Sequence, residues 1–319
     1  MYAADFDYYK ADSVGEAIRL LRSHEGAKLL AGGHSLLPLM KLRLARPPAL
    51  IDIGGIDDLK GVTVRSNQLR IGALTTHWEI ASSPEVQEHN PLLAEVASGI
   101  GDPQVRNRGT IGGNIAHADP ASDWATVLTA LEARITVQGP GPLGGRHTFS
   151  AEEFFQGAFT TALEDDQVIT YIEAPVLLGH RHEHEQSHGD EHDHDHNHDH
   201  GHVEIHGQVG EYAKMAHPAT YFAVVGGAVI VTVENNRCTA ARVAVGGLTP
   251  KPVRARSVET ALVGRELTME TISQAVTNLP DDLGDDIIGD VYASADFRRQ
   301  VVGVEVKHAL LHATGVAHH

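Results

Sequence analysis

Apolar positions in the first fifty residues recur at two different periods. Val14, Ala17, Ile18 and Leu21 fall on one face of a helix, and Ser13 followed by Glu16 predicts a capping box at its start. Gly26 is placed to end that helix, and Lys28-Leu29-Leu30 then reads as a strand running into Gly32-Gly33. A short helical stretch over residues 36–42 follows. After the break at Arg46-Pro47-Pro48, residues 49–53 read as a buried strand.

The pattern changes beyond residue 59. Val62-Thr63-Val64 and Leu69-Arg70-Ile71 flank Ser66-Asn67 as a hairpin. Helices are predicted over residues 76–81, 91–99 and 123–131, a glycine-rich loop over 109–114, and strands over 134–138 and 167–173. Near the C-terminus, residues 223–234 and 238–246 form a second hairpin around Asn235-Asn236, followed by helices over 257–262, 269–277 and 295–311. This mixture points to an α+β architecture, with no internal repeat. The longest apolar stretch, residues 222–233, is too short to span a bilayer.

Composition changes the picture in three places. The 319 residues carry a formal charge of -17, which makes a phosphate backbone a poor partner. The N-terminus lacks the basic start and apolar core of an export signal, so a cytoplasmic location is expected, with any membrane association peripheral and through a complex. A single cysteine, Cys238, excludes an internal disulfide or a cysteine-ligated iron–sulfur cluster within the chain and reads as a small strand residue.

Candidate chemistry lies in two glycine segments, Ala31-Gly32-Gly33-His34-Ser35 and Thr110-Ile111-Gly112-Gly113-Asn114. Paired glycines allow close backbone approach and can aim amide N–H groups into one concavity, which suits a pyrophosphate. Ser35, Thr110 and Asn114 would add side-chain donors. A tight turn required by the fold explains either segment equally well, and there is no GxGxxG or Walker sequence.

The surroundings of these segments are more specific. Residues 28–41 (KLLAGGHSLLPLMK), 49–56 (ALIDIGGI) and 106–123 (RNRGTIGGNIAHADPASD) together resemble the FAD-binding subunit of the molybdenum hydroxylases. That family includes the medium subunit of aerobic carbon monoxide dehydrogenase and the flavin domain of xanthine dehydrogenase. The resemblance implies a two-subdomain FAD-binding fold of the vanillyl-alcohol-oxidase/PCMH type with a small C-terminal sheet-plus-helices domain. Its division would be 1–56, 57–178, a His/Asp-rich mobile insertion at 179–210, and 211–319. It also implies that both glycine segments cradle the FAD pyrophosphate and that Asp123 meets FAD hydroxyls or adenosine groups, although Asp123 equally suits a helix N-cap. Ile169 would meet the adenine end, Lys214 the flavin and Tyr221 one flavin face. Their plain alternatives are a strand core residue, a surface lysine and a strand-start tyrosine. Implied partners are a large molybdopterin subunit and a small [2Fe–2S] subunit in a dimer of heterotrimers, with a quinone, NAD or oxygen as electron acceptor.

The chain departs from that family mainly between Gly179 and Gly210, where residues 180–206 hold eleven of the 22 histidines. His192, His194, His196, His198 and His200, alternating mostly with acids, suit weak binding of Zn²⁺, Ni²⁺ or Cu²⁺, though nothing selects four fixed ligands. An expanded loop there is expected to alter how the flavin face is covered. Two rival functions remain at this level: a stand-alone flavin oxidoreductase, and a metal-binding accessory protein in which the glycine segments are purely structural.

Overall fold

The computed structural model describes residues 2–141, 144–177, 179–182, 204–235 and 237–316. A three-stranded parallel sheet comes first, with β1 (Asp7–Lys10) and β2 (Lys28–Leu30) on either side of β3 (Ala49–Asp52). Helix α1 (Val14–Ser23) connects β1 to β2 and buries Ala17, Ile18 and Leu21. Ser13 caps it by accepting from the Glu16 N–H, while the Glu16 carboxylate accepts from Asp12 rather than from the cap residue itself. Helix α2 (Leu36–Lys41) starts directly after the first glycine segment.

A five-stranded antiparallel sheet follows in the order β4-β5-β10-β6-β7. Its members are β4 (Val62–Arg65), β5 (Gln68–Gly72), β6 (Arg134–Gln138), β7 (Arg146–Ser150) and β10 (Val168–Pro175); a small pair, β8 (Phe155–Gly157) and β9 (Thr160–Thr161), lies outside it. Ser66 and Asn67 both have positive φ, the tight hairpin turn their identities predict. Between β5 and β6 the chain makes α3 (His77–Ser82), α4 (Pro84–His89), α5 (Pro91–Ser98), α6 (Pro103–Arg108), α7 (Ile111–His117) and α8 (Asp123–Ala130). Helix α9 (Ala151–Phe154) follows β7.

The third sheet runs β11-β12-β13-β14-β15: His180–His182, Glu204–Ala216, Ala223–Glu234, Arg237–Gly246 and Val253–Arg254. Side chains of β13 alternate between two cores, as strand geometry requires. Ala228 and Ile230 join the core around Trp124 and Leu128 of α8, while Val225, Val229, Val231 and Val233 join the core under Val302 and Val306. Those two valines belong to α13 (Ala295–Thr314), which packs beside α10 (Arg256–Leu262), α11 (Met269–Val276) and α12 (Pro280–Leu283).

Three expectations need correction. Residues 109–114 are not a loop: Thr110 caps α7, which begins at Ile111. Residues 204–210, assigned to a mobile insertion on composition, belong to β12, because each faces β13 or β11 and their backbone groups find partners there. Asp123 is not a helix N-cap, since Ser122 caps α8 by accepting from Ala125. Cys238 is buried in β14, where burial pushes its thiol up to about 11, the inert strand residue its context predicts.

Candidate functional site

A cavity of about 700 Å³ opens where the parallel unit, the central unit and the β12–β13 loop meet, a size suited to a small-molecule ligand. Ala31, Gly32, Gly33, His34 and Ser35 form one wall. Thr110, Gly112, Gly113 and Asn114 form the facing wall, and Asp123, Ile169 and Tyr221 complete it. Two expected residues lie elsewhere. Ile111 points into the central core and is fully buried, and Lys214 sits behind the wall, on β12.

The two glycine segments touch. A Cβ on Gly32 would run into the carbonyl of Arg108, just ahead of the second segment, so only glycine permits this approach. Their backbones then differ in what they leave unspent. Among the described residues, the N–H groups of Gly32, Gly33, His34 and Ser35 have no acceptor within the chain. In the second segment Ile111 donates to Thr75 O, Gly112 to Ala73 O, Gly113 to the Thr110 hydroxyl and Asn114 to Thr110 O. That segment therefore offers side chains: the Thr110 hydroxyl proton, and the Asn114 amide nitrogen, which is freed because Ser122 donates to Asn114 Oδ1 at 2.5 Å.

Asp123 is buried at the edge of the cavity. Its Oδ1 accepts from Tyr212 at 2.7 Å and its Oδ2 from Lys214 at 2.6 Å. Burial raises the Asp123 carboxyl above its ordinary value, and the Lys214 ammonium, ahead of the Tyr212 hydroxyl, offsets part of that rise. Tyr221 precedes β13, in a left-handed conformation with φ of 59°, and is 56% exposed, as its neighbour Phe222 is also exposed. It is thus a loop residue of the cavity mouth rather than an ordinary strand-start tyrosine.

Sequence reading missed His77. The capping box of Thr76 and Glu79 places it in the first turn of α3, but nothing in its neighbourhood marks it for the cavity. Its ring is buried in the wall, and Nδ1 accepts from the indole N–H of fully buried Trp124 at 3.2 Å, which leaves the neutral ring's proton on Nε2. Burial, then the charges of His34 and Arg106, push its pKa down to about 4, so it is neutral at ordinary pH.

This donor set fits an anionic, elongated cofactor. Four free amides at the start of a helix, two side-chain donors opposite and an aromatic pair at the mouth can hold a dinucleotide pyrophosphate and cover a flat ring. Metal chemistry has no comparable support: among the described residues no group of three or more histidines, cysteines or carboxylates could hold an ion. His192, His194, His196, His198 and His200 lie outside the described residues. No helix among the described residues is long and apolar enough to cross a membrane.

Comparison with known proteins agrees with the geometry. Residues 4–177 match the model of the FAD binding domain in molybdopterin dehydrogenase, and residues 211–313 that of the CO dehydrogenase flavoprotein C-terminal domain. The chain is 36% identical to the carbon monoxide dehydrogenase medium chain of Hydrogenophaga pseudoflava, over 96% of each. It is 33% identical to the glyceraldehyde dehydrogenase medium chain of Sulfolobus acidocaldarius, over 95% of this chain and 96% of that one. Among solved structures, carbon monoxide dehydrogenase of Hydrogenophaga pseudoflava superposes with a TM-score of 0.85 over 99% of both chains at 36% identity. Quinoline 2-oxidoreductase of Pseudomonas putida 86 gives 0.85 over 99% of both chains at 26% identity. Two matching domain models, near-complete coverage of the relatives and a cavity built from the expected segments lead to one assignment: the chain belongs to the family of FAD-binding medium subunits of the molybdenum hydroxylases, oxidoreductase components of the carbon monoxide dehydrogenase type.

Proposed function

We propose that this chain binds FAD in the cavity between its two glycine segments and passes electrons from a partner's [2Fe–2S] cluster to an external acceptor such as a quinone or NAD. The parent complex would be of the aerobic carbon monoxide dehydrogenase type, with a large molybdopterin subunit and a small iron–sulfur subunit arranged as a dimer of heterotrimers. The observation that carries this reading is the row of four unpaired amides at residues 32–35, in a segment that lines a cavity of ligand size.

Bound FAD supplies an isoalloxazine ring that exchanges electrons singly or in pairs. The chain's own residues do the rest. The amides of Gly32 to Ser35 and the α2 N-terminus offset the pyrophosphate charge, Thr110 and Asn114 donate from the facing wall, and Tyr221 covers one side of the ring. Ile169, at a register shift in β10, borders the adenine end. The relatives are subunits of enzymes named for carbon monoxide, glyceraldehyde and quinoline. Such a spread of substrates around one architecture suits a chain that handles electrons rather than the substrate itself.

The test is a charge reversal at the amide row. Ser35 makes no capping bond, so Ser35→Asp removes none and adds a carboxylate beside the unpaired amides, where the pyrophosphate would lie. Wild type is expected to carry FAD, identified by the mass of the released cofactor. Ser35→Asp should keep its melting temperature and lose FAD affinity by about tenfold or more, that is ~1.4 kcal/mol. A chain that stays colourless after reconstitution, or a Ser35→Asp variant with undiminished affinity, overturns the assignment.

A further inference from the structure

Lys214 spends every proton it has inside the protein. An ammonium offers three donors. Its Nζ lies 2.6 Å from Asp123 Oδ2, 3.0 Å from the Tyr221 carbonyl and 3.2 Å from the Gly99 carbonyl. No donor is left for a cofactor atom, and the side chain is not part of the cavity wall. The three acceptors come from separate places: Gly99 caps α5, Asp123 opens α8, and Tyr221 lies between β12 and β13. One side chain on β12 therefore pins three elements around the cavity mouth.

Of the three, Tyr221 is the one whose geometry needs outside support. Its φ of 59° is a conformation that bulky residues rarely adopt. The residue is 56% exposed, so packing holds it only in part. The loop's own bonds close it on itself: Tyr221 N and Thr220 N donate to His217 O, and His217 N donates to Phe222 O. None of these hydrogen bonds ties the loop to another element. The hydrogen-bonded link to the wall runs from the Tyr221 carbonyl through Lys214 to the Asp123 carboxylate.

Resting on the FAD reading above, we propose that Lys214 is a positioning residue. By holding the Tyr221 carbonyl and the Asp123 carboxylate on one ammonium, it sets the Tyr221 ring over the cavity mouth and governs how closely an aromatic covers the bound cofactor. It does so without touching the cofactor.

Two readouts test this in the full chain. In the FAD-free protein, Lys214→Met should speed hydrogen exchange at the Thr220 and Tyr221 amides by about tenfold or more, while the Val229 and Val231 amides of β13 keep wild-type rates. In the FAD-loaded protein, a tyrosine ring lying on the flavin quenches its fluorescence. Tyr221→Leu and Lys214→Met should each brighten the flavin by a similar factor, and the double variant no further. The proposal is overturned by wild-type exchange at Tyr221 in Lys214→Met, by a Tyr221→Leu flavin no brighter than wild type, or by two brightening effects that add. Should Lys214→Met fail to fold because Asp123 is left buried and unpaired, Asp123→Asn/Lys214→Met keeps the site neutral and is read by the same rules. A wild-type chain that takes up no FAD sinks the functional reading, and the exchange measurement still decides the positioning.

Discussion

Residues 31–35 and 110–114 both carry a glycine pair followed closely by a polar side chain, and both border the cavity, yet the chain treats their backbones in opposite ways. The first leaves four amides without an internal acceptor, whereas the second gives its amides to Thr75, Ala73 and Thr110. The difference comes from what lies behind each segment. Gly112 backs onto Ala73 so closely that a Cβ would sit 2.6 Å from the Ala73 methyl and carbonyl, and carbonyls at that range capture the amides first. Behind residues 32–35 the nearest carbonyl, that of Arg108, lies against Gly32, yet among the described residues it accepts none of the four amides. Glycine content alone therefore does not measure a segment's capacity for an anion; the acceptors already within its reach do. In this division of labour the second segment is a wall that supports the first at Gly32.

The contact at Gly32 is where that comparison breaks most easily. Gly32→Ala drives a methyl into the Arg108 carbonyl, and backbone cannot yield as a flexible side chain can. We expect a loss of about 3 kcal/mol or more in urea denaturation, together with loss of FAD binding. Gly113→Ala meets the Thr110 hydroxyl at 2.9 Å and the Ala31 methyl at an ordinary 3.8 Å, and should stay within about 1 kcal/mol of wild type. Equal effects of the two would remove the distinction between support and cradle.

Next in size is the pH dependence of the supporting wall. His77 N donates to Gly109 O at 3.0 Å, and its ring lies against Gly109. The unfolded imidazole titrates near 6.5 and the folded one near 4, so between those values the unfolded chain binds more protons. The stability due to a neutral His77 is fully present above pH 6.5 and is lost as pH falls toward 4. The loss amounts to ~3 kcal/mol over that window. His77→Asn, which keeps an acceptor for Trp124, should flatten this slope in melting curves taken across the same window.

The smallest effect separates the two hydroxyls. Thr110 accepts from Gly113 at 3.1 Å, so Thr110→Ala should cost about 1 kcal/mol of stability. Ser35 caps nothing, so Ser35→Ala should leave the melting temperature unchanged and weaken only FAD binding. Thermal melts with and without FAD read both.

Much of the architecture was legible because its signals are local. Ser66-Asn67 marks the β4–β5 turn, a continuous apolar run marks β13, and the helical stripe marks α1. Helices α4 and α6 were overlooked although Ser83-Pro84 and Asp102-Pro103 place a cap residue before a proline at the first helical position. Helix α7 was hidden because two glycines argue against a helix locally, and the contact with Ala73 that requires one of them is tertiary. None of β12 was read as a strand: histidine-rich composition concealed its start, and pairing with β13 makes it one. Within the site, the glycine segments were visible as motifs, but the fate of their amides was not. Lys214 and Asp123 lie 91 residues apart, and only folding shows that they satisfy one another.

The pairing of β11 with β12 has a consequence of another kind. His182 faces Glu204 across the ladder, so these two positions lie about 5 Å apart. Between ends held that close, the closure entropy of a flexible connection rises slowly with its length, by ~0.6 kcal/mol per doubling. Residues 207–216 then continue as about 30 Å of paired strand before the loop that carries Tyr221. This position is a natural splice point, where a lineage or an engineer can lengthen, shorten or exchange a segment while the register of β12, and with it the cavity mouth, stays fixed by β13.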